Sequence, residues 1–170
     1  MTTSQNVPDL IAAAQAKAKL SEDTISGVRS HLEGPSGSET QVEELRAAHV
    51  ALKRIAVDAF TLFEARMQHH FKRGPFSRKL RSALLEAEHT DLADRIHKYY
   101  LAINVLKHGN GASYRELLNT PTILFHIKPS ENTTSQEENA PSNLIDVSLP
   151  GFFDGLATTL LEAYQFLEKR

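Results

Sequence analysis

The chain has 170 residues, 41% of them hydrophobic and 24% charged, enough for one domain with a sizeable core and too ordinary a balance for a disordered segment. A net charge of −2 gives no global attraction to nucleic acid, and the absence of cysteine excludes disulfides, thiolate metal sites and a cysteine nucleophile. Met1 to Asn6 has neither the basic start nor the apolar core of a secretion signal, and no apolar run approaches the ~20 residues needed to cross a bilayer, so a soluble cytoplasmic protein with no membrane contact is expected.

Pro8 to about Glu33 predicts a first helix, with Leu10, Ile11, Ala14, Ile25, Val28 and Leu32 near helical spacing. Ser21-Glu22-Asp23 and Gly27 weaken the pattern in its middle, and Gly34-Pro35-Ser36-Gly37-Ser38 breaks it. The strongest periodicity follows. From about Glu39 to Lys72, Val42, Leu45, His49, Leu52, Ala56, Ala59, Phe63 and Met67 recur every three or four residues, predicting a helix about 50 Å long. That exceeds what a small domain needs and suggests a kink or an extension onto a partner helix. Arg73-Gly74-Pro75 ends it.

A third helix is expected from Phe76 to about Glu88, with Leu80, Leu84 and Leu85 inward. His89-Thr90-Asp91 supplies an N-cap for a fourth, Asp91 to His108, whose apolar side is Leu92, Ile96, Tyr99, Ile103 and Leu106. A short helical turn spans Ser113 to Leu118, with Ser113 and Glu116 at capping-box spacing. Thr122–Ile127 and Asn143–Ser148 are short, β-branched and bounded by prolines, and predict a small antiparallel hairpin around a mobile polar loop at 129–141. Leu149-Pro150-Gly151 leads into a last helix, to Arg170, burying Phe153, Leu156, Leu160, Tyr164 and Leu167. The expected fold is mainly α: one domain over residues 1–170, a bundle of about five helices with a β-hairpin before the C-terminal helix.

Two features carry chemistry. Arg66 to Leu85 contains Arg66, Lys72, Arg73, Arg78, Lys79 and Arg81 with no acid among them, together with His69, His70, Phe71 and Phe76. Such a window can face RNA, cations meeting phosphates and aromatics stacking on bases, or can be a solvated helix corner whose phenylalanines enter the core. The solvated-corner alternative is favoured for the window, because Phe76 precedes Leu80 at helical spacing.

The second is the end of the fourth helix. Asn104 and His108 stand four residues apart and project from one face, and Gly109 follows where a helix would end. A histidine titrating near neutrality can act as acid or base, and an amide can orient a phosphate or the imidazole. Tyr100, one turn before Asn104, can reach the same face. A plain structural role is open too, since a histidine in a last helical turn is favoured by the helix dipole.

The stretch Ile103-Asn104-Val105-Leu106-Lys107-His108-Gly109 resembles the Arg-polar-x-x-x-His signature of the HEPN superfamily, often continued as His-Gly. The resemblance implies that Asn104 is the family's polar residue and His108 its catalytic histidine. It implies a dimerising bundle of about four or five helices. Many such proteins are metal-independent RNases of toxin–antitoxin and phage-defence systems, and others are non-catalytic binding modules. The family arginine is replaced here by Ile103, and no arginine stands four to six residues before His108. Metal-free RNA cleavage needs positive charge on the phosphorane, best given by a guanidinium. Lys107, Arg115 or a partner subunit would have to supply it; Arg95 lies more than three turns away and would act only across a dimer.

No metal or cofactor is expected: His69 and His70 should diverge on a helix, and no paired histidines at four-residue spacing occur. The reading is therefore a HEPN-like homodimer binding RNA or a nucleotide-containing ligand, with His108 and Asn104 catalytic if it cleaves and Lys107, Arg115 and Tyr100 contacting substrate. The alternative is a non-catalytic dimeric interaction module, an antitoxin-like or defence-accessory protein that binds another protein.

Overall fold

The computed structural model describes residues 6–32, 39–120, 122–128, 144–149 and 151–170. The predicted breaker at 34–38 and the polar loop at 129–141 lie outside the described residues. Six helices and one two-stranded ribbon are described: α1 (Val7–Leu32), α2 (Glu39–Met67), α3 (Phe76–Glu86), α4 (Thr90–His108), α5 (Ala112–Asn119), β1 (His126–Ile127), β2 (Ile145–Asp146) and α6 (Phe152–Lys169). The mainly α bundle with a hairpin before the last helix is thus the observed fold. None of the described helices is long and apolar enough to cross a membrane.

The two long helices pack against each other, with Val7 and Ile11 near Ala59 and Phe63 and Arg29 near His49, an antiparallel pair. Val7, Ile11, Ala18 and Ile25 of α1 share one core cluster with Ala48, Leu52, Ala56, Phe60 and Phe63 of α2. α2 runs unbroken for 29 residues and closes in a single 3₁₀ turn at Gln68–His70. Its predicted stripe is right from Leu45 onward. Val42, in the first turn of α2, is 47% exposed.

The core is built around α4. Leu101, Ala102, Ile103, Val105 and Leu106 are all buried, so its C-terminal half is enclosed nearly all round, by α2, α3, α5, α6 and the ribbon. The sequence showed one apolar side. The structure fills the others, which is how a helix hydrophobic on most faces avoids water. On α3, Leu80 and Leu84 are buried as expected, but Leu85 is 47% exposed, and Phe76 and Ala83 take up the inward face. α3 ends with Glu88 at φ 64°, where the His89 N–H donates to Leu84 O at 2.8 Å and the Glu88 N–H to Leu85 O at 3.1 Å. This is a Schellman-type cap with glutamate at the left-handed position usually held by glycine.

The strands are shorter than predicted, with only His126 opposite Asp146 and Ile127 opposite Ile145. Side chains take over the backbone groups at both margins. Thr122 Oγ1 accepts the Leu124 N–H at 3.1 Å, and Asp146 Oδ1 accepts the Ser148 N–H at 3.0 Å, local turns that compete with a ladder. The ribbon is nonetheless part of the core: Phe125, Leu144, Ile145 and Val147 are buried. Tyr99, Phe125 and Phe152 form a three-ring cluster with centroids 5.6–5.9 Å apart.

α6 lies across α4, and one glycine makes the crossing possible. A Cβ on Gly155 would stand 2.3 Å from the Tyr99 hydroxyl, while the ring carbon behind it is 3.5 Å away, an ordinary contact. Tyr99 is 1% exposed and has nowhere to go. Gly155→Ala is expected to destabilise by about 1–3 kcal/mol, the range for overpacking. Tyr99→Phe in the same chain should recover most of that loss by removing the clashing oxygen. Thermal melts of the two single variants and the double variant check this, and strictly additive losses would contradict it.

Candidate functional site

α4 ends at His108 because Gly109 adopts φ 75°, a backbone L side chains disfavour, while its N–H still donates to Val105 O at 2.8 Å. The chain turns at once, and Gly111 opens α5, which folds back along α4. Two polar bridges join these helices. Asn104 Nδ2 donates to Ser113 Oγ at 3.4 Å, and His97 Nε2 meets Glu116 Oε1 at 2.8 Å. The predicted capping box is therefore not formed. Gly111 is the N-cap residue, α5 starts at Ala112, and both Ser113 and Glu116 are spent on α4.

Tyr100 is half-buried, its ring 6.3 Å from Phe60 and 6.5 Å from His97, with the His97 ring inclined by only 26°. His108, Lys107 and Arg115 are exposed. Thus Asn104 and Tyr100 are held in the α2–α4–α5 packing, and His108 stands at its rim with no hydrogen-bond partner among the described residues. Lys107 acts on Glu64 across the α2–α4 contact. Burial raises the Glu64 carboxyl above its ordinary range, opposed by the Ser77 hydroxyl donating at 3.1 Å and by the Lys107 ammonium.

Neither the position of Ile103 nor Arg95 presents a free cation here. Ile103 is 1% exposed and faces the core, so its position cannot present a charge to solvent. Arg95 is committed elsewhere, with Nε on Asp91 at 2.9 Å, one terminal nitrogen on Thr159 Oγ1 at 3.3 Å and the other on Glu162. It clamps α4 to α6. The His97–Glu116 pair escaped sequence reasoning because its members are 19 residues apart and meet only where α5 folds back.

The basic window forms the corner between α2 and α3. Arg66, Lys72, Arg73, Arg78, Lys79 and Arg81 are all exposed, and none makes an ion pair with a described residue. His70, Phe71, Lys72, Arg73, Lys79 and Arg170 line a depression of about 560 Å³ there. Phe76 enters the core, as favoured from its spacing, and stacks edge-on against Phe63 and Phe71. Phe71 stays half-buried beneath the Arg170 guanidinium, 5.6 Å above its ring.

A second charged cluster lies where α1 and α2 meet the ribbon. Arg29 donates to Ser148 Oγ at 3.2 Å, and the Ser148 hydroxyl donates to Asp146 Oδ1 at 2.5 Å. Those bonds, helped by Lys128 and Arg29, outweigh burial and hold the Asp146 carboxyl below its usual range. Burial first, then Lys128, lowers the Lys53 ammonium from 10.5 to about 8. The unfolded chain therefore binds more protons between pH 8 and 10.5, so stability rises with pH across that window as the ammonium's cost disappears. Lys53→Met is expected to be more stable than wild type at pH 7 by about 1–2 kcal/mol, a figure discounted for the half-exposed side chain. The difference should close by about pH 10.5, as followed by denaturant melts across pH; an unchanged difference would contradict it.

No protein-family model matches the chain, and no curated protein or solved structure is significantly similar to it.

Proposed function

We propose that this protein binds RNA through the α2–α3 corner and does not cleave it at the end of α4. The reading is carried by one observation: six exposed cations within sixteen residues, 66–81, none with an acidic partner among the described residues. Unpaired cations crowded on a slightly acidic protein repel one another, and a polyanion that releases its counterions relieves that repulsion. The Asn104-x-x-x-His108-Gly109 resemblance to HEPN domains supports the same substrate class, since non-catalytic binding modules occur among them. The buried Ile103 leaves the family's arginine position without a charge and Arg95 is occupied, which argues against a working RNase; of the cations weighed for this role, Lys107 and Arg115 are the exposed ones near the end of α4.

The test is titration of a labelled single-stranded oligoribonucleotide with purified protein in EDTA, by anisotropy, at several salt concentrations. With about five phosphates contacted, log K should fall against log salt with a slope of about −3.5, and the RNA should remain intact. His108→Ala should bind as wild type does. Absence of binding at low salt would overturn the reading, and cleavage lost in His108→Ala would overturn its non-catalytic half.

An apolar groove of about 310 Å³ between α1 and α2, lined by Leu10, Ile55 and the 44%-exposed Leu62, favours a second reading, an interaction module that takes a partner helix. That module would ignore RNA at every salt concentration.

A further inference from the structure

The histidines at the end of α2 do not diverge as neighbours on an α-helix would. They sit on the closing 3₁₀ turn, and their ring centroids are 4.2 Å apart. The C-terminal turn of α6 brings Glu168 to the same place, with Oε1 3.3 Å from His70 Nε2. One ring nitrogen of each histidine and one carboxylate oxygen of Glu168 lie within 4.8 Å of one another.

We propose that His69, His70 and Glu168 form a binding site for a divalent transition-metal ion of the zinc class. A tetrahedral ion with bonds of about 2.0–2.1 Å spaces its ligand atoms about 3.3–3.4 Å apart, which the His70–Glu168 separation already meets. The third ligand needs a side-chain adjustment, and His69 is exposed. His69 is also set in the ligating tautomer. Its Nδ1 lies 2.8 Å from Arg66 O, and a carbonyl can only accept, so Nδ1 carries the proton and Nε2 the lone pair. An imidazole whose far nitrogen donates to a backbone carbonyl is the usual support of a metal-bound histidine.

Two imidazoles and one carboxylate suit zinc and leave a fourth position open. Lys72, Arg73 and Arg170 border His70, so an anionic oxygen in that fourth position would best balance the added charge. A simple His70–Glu168 bond does not account for the second ring beside it. The bound ion would tie the end of α6 to the end of α2, adding to the His70–Glu168 bond and the Arg170–Phe71 contact already there. This site does not depend on the RNA reading.

The test uses the full chain, freed of any affinity tag and stripped with EDTA, titrated with ZnCl2 and separately with Co2+. We expect one equivalent bound and a rise in Tm of about 5–10 °C at a hundredfold excess over Kd. The Co2+ form should show the visible bands of a four-coordinate ion. His69→Ala and Glu168→Gln change exposed side chains, so their metal-free Tm should stay at the wild-type value while both metal responses disappear. Wild-type protein that binds no ion would overturn the proposal, as would metal binding that persists in both variants.

Discussion

Ile103→Arg, the substitution that would complete the resemblance to the HEPN signature, should destabilise the protein severely and create no RNase. Ile103 is 1% exposed and belongs to the continuous core that α4 shares with its neighbours. An arginine there must either bury an unpaired guanidinium or force α4 out of register, and each alternative costs at least about 4–5 kcal/mol. Domains of this size are stable by about 5–15 kcal/mol, so the variant should lose about a third or more of its margin. Ile103→Leu keeps volume and polarity and should cost less than about 1.5 kcal/mol. Circular-dichroism melts of both variants decide the matter. An Ile103→Arg protein that melts with wild-type stability would mean that the side chain reaches solvent, and the argument against catalysis at His108 would fall with it.

Reversing three charges of the corner together, Lys72→Glu, Arg73→Glu and Lys79→Glu, should weaken RNA binding at low salt by about a hundredfold. It should also flatten the salt dependence by about two units of slope, because three cations that displaced counterions no longer do so. All three side chains are exposed and none is ion-paired with a described residue, so Tm should move little. Arg46→Glu, at an exposed position near the start of α2, provides a control that leaves the corner's charge unchanged. Equal affinity and an equal slope in the triple variant would place RNA binding elsewhere or nowhere.

Only part of the proposed site could be read from the order of residues. The corner was visible as a charge run, because six bases without an intervening acid have no other way to be arranged than together. The relation of His69 and His70 to Glu168 was not, since 98 residues separate the bonded pair and the helical rule for neighbours ceases to apply where the helix ends. The capping box expected at Ser113 and Glu116 does not form, and those side chains bond to Asn104 and His97 of α4, partners 9 and 19 residues away that only the fold-back of α5 brings near.

The sequence by itself determined the helices, their order, the ribbon ahead of the last helix and the inward stripe of most of them. Those are consequences of local periodicity and of glycine and proline positions, which act within a few residues. Tertiary structure alone decided that α4 is central, its other faces enclosed as well as the side that carries Ile103, and that Arg95 clamps α6. It also decided that Gly155 must remain small beneath Tyr99. Each of these depends on which element lies against which. That choice is made by burying the largest apolar area without stranding a polar group, a sum over the whole chain that no single stretch of residues contains.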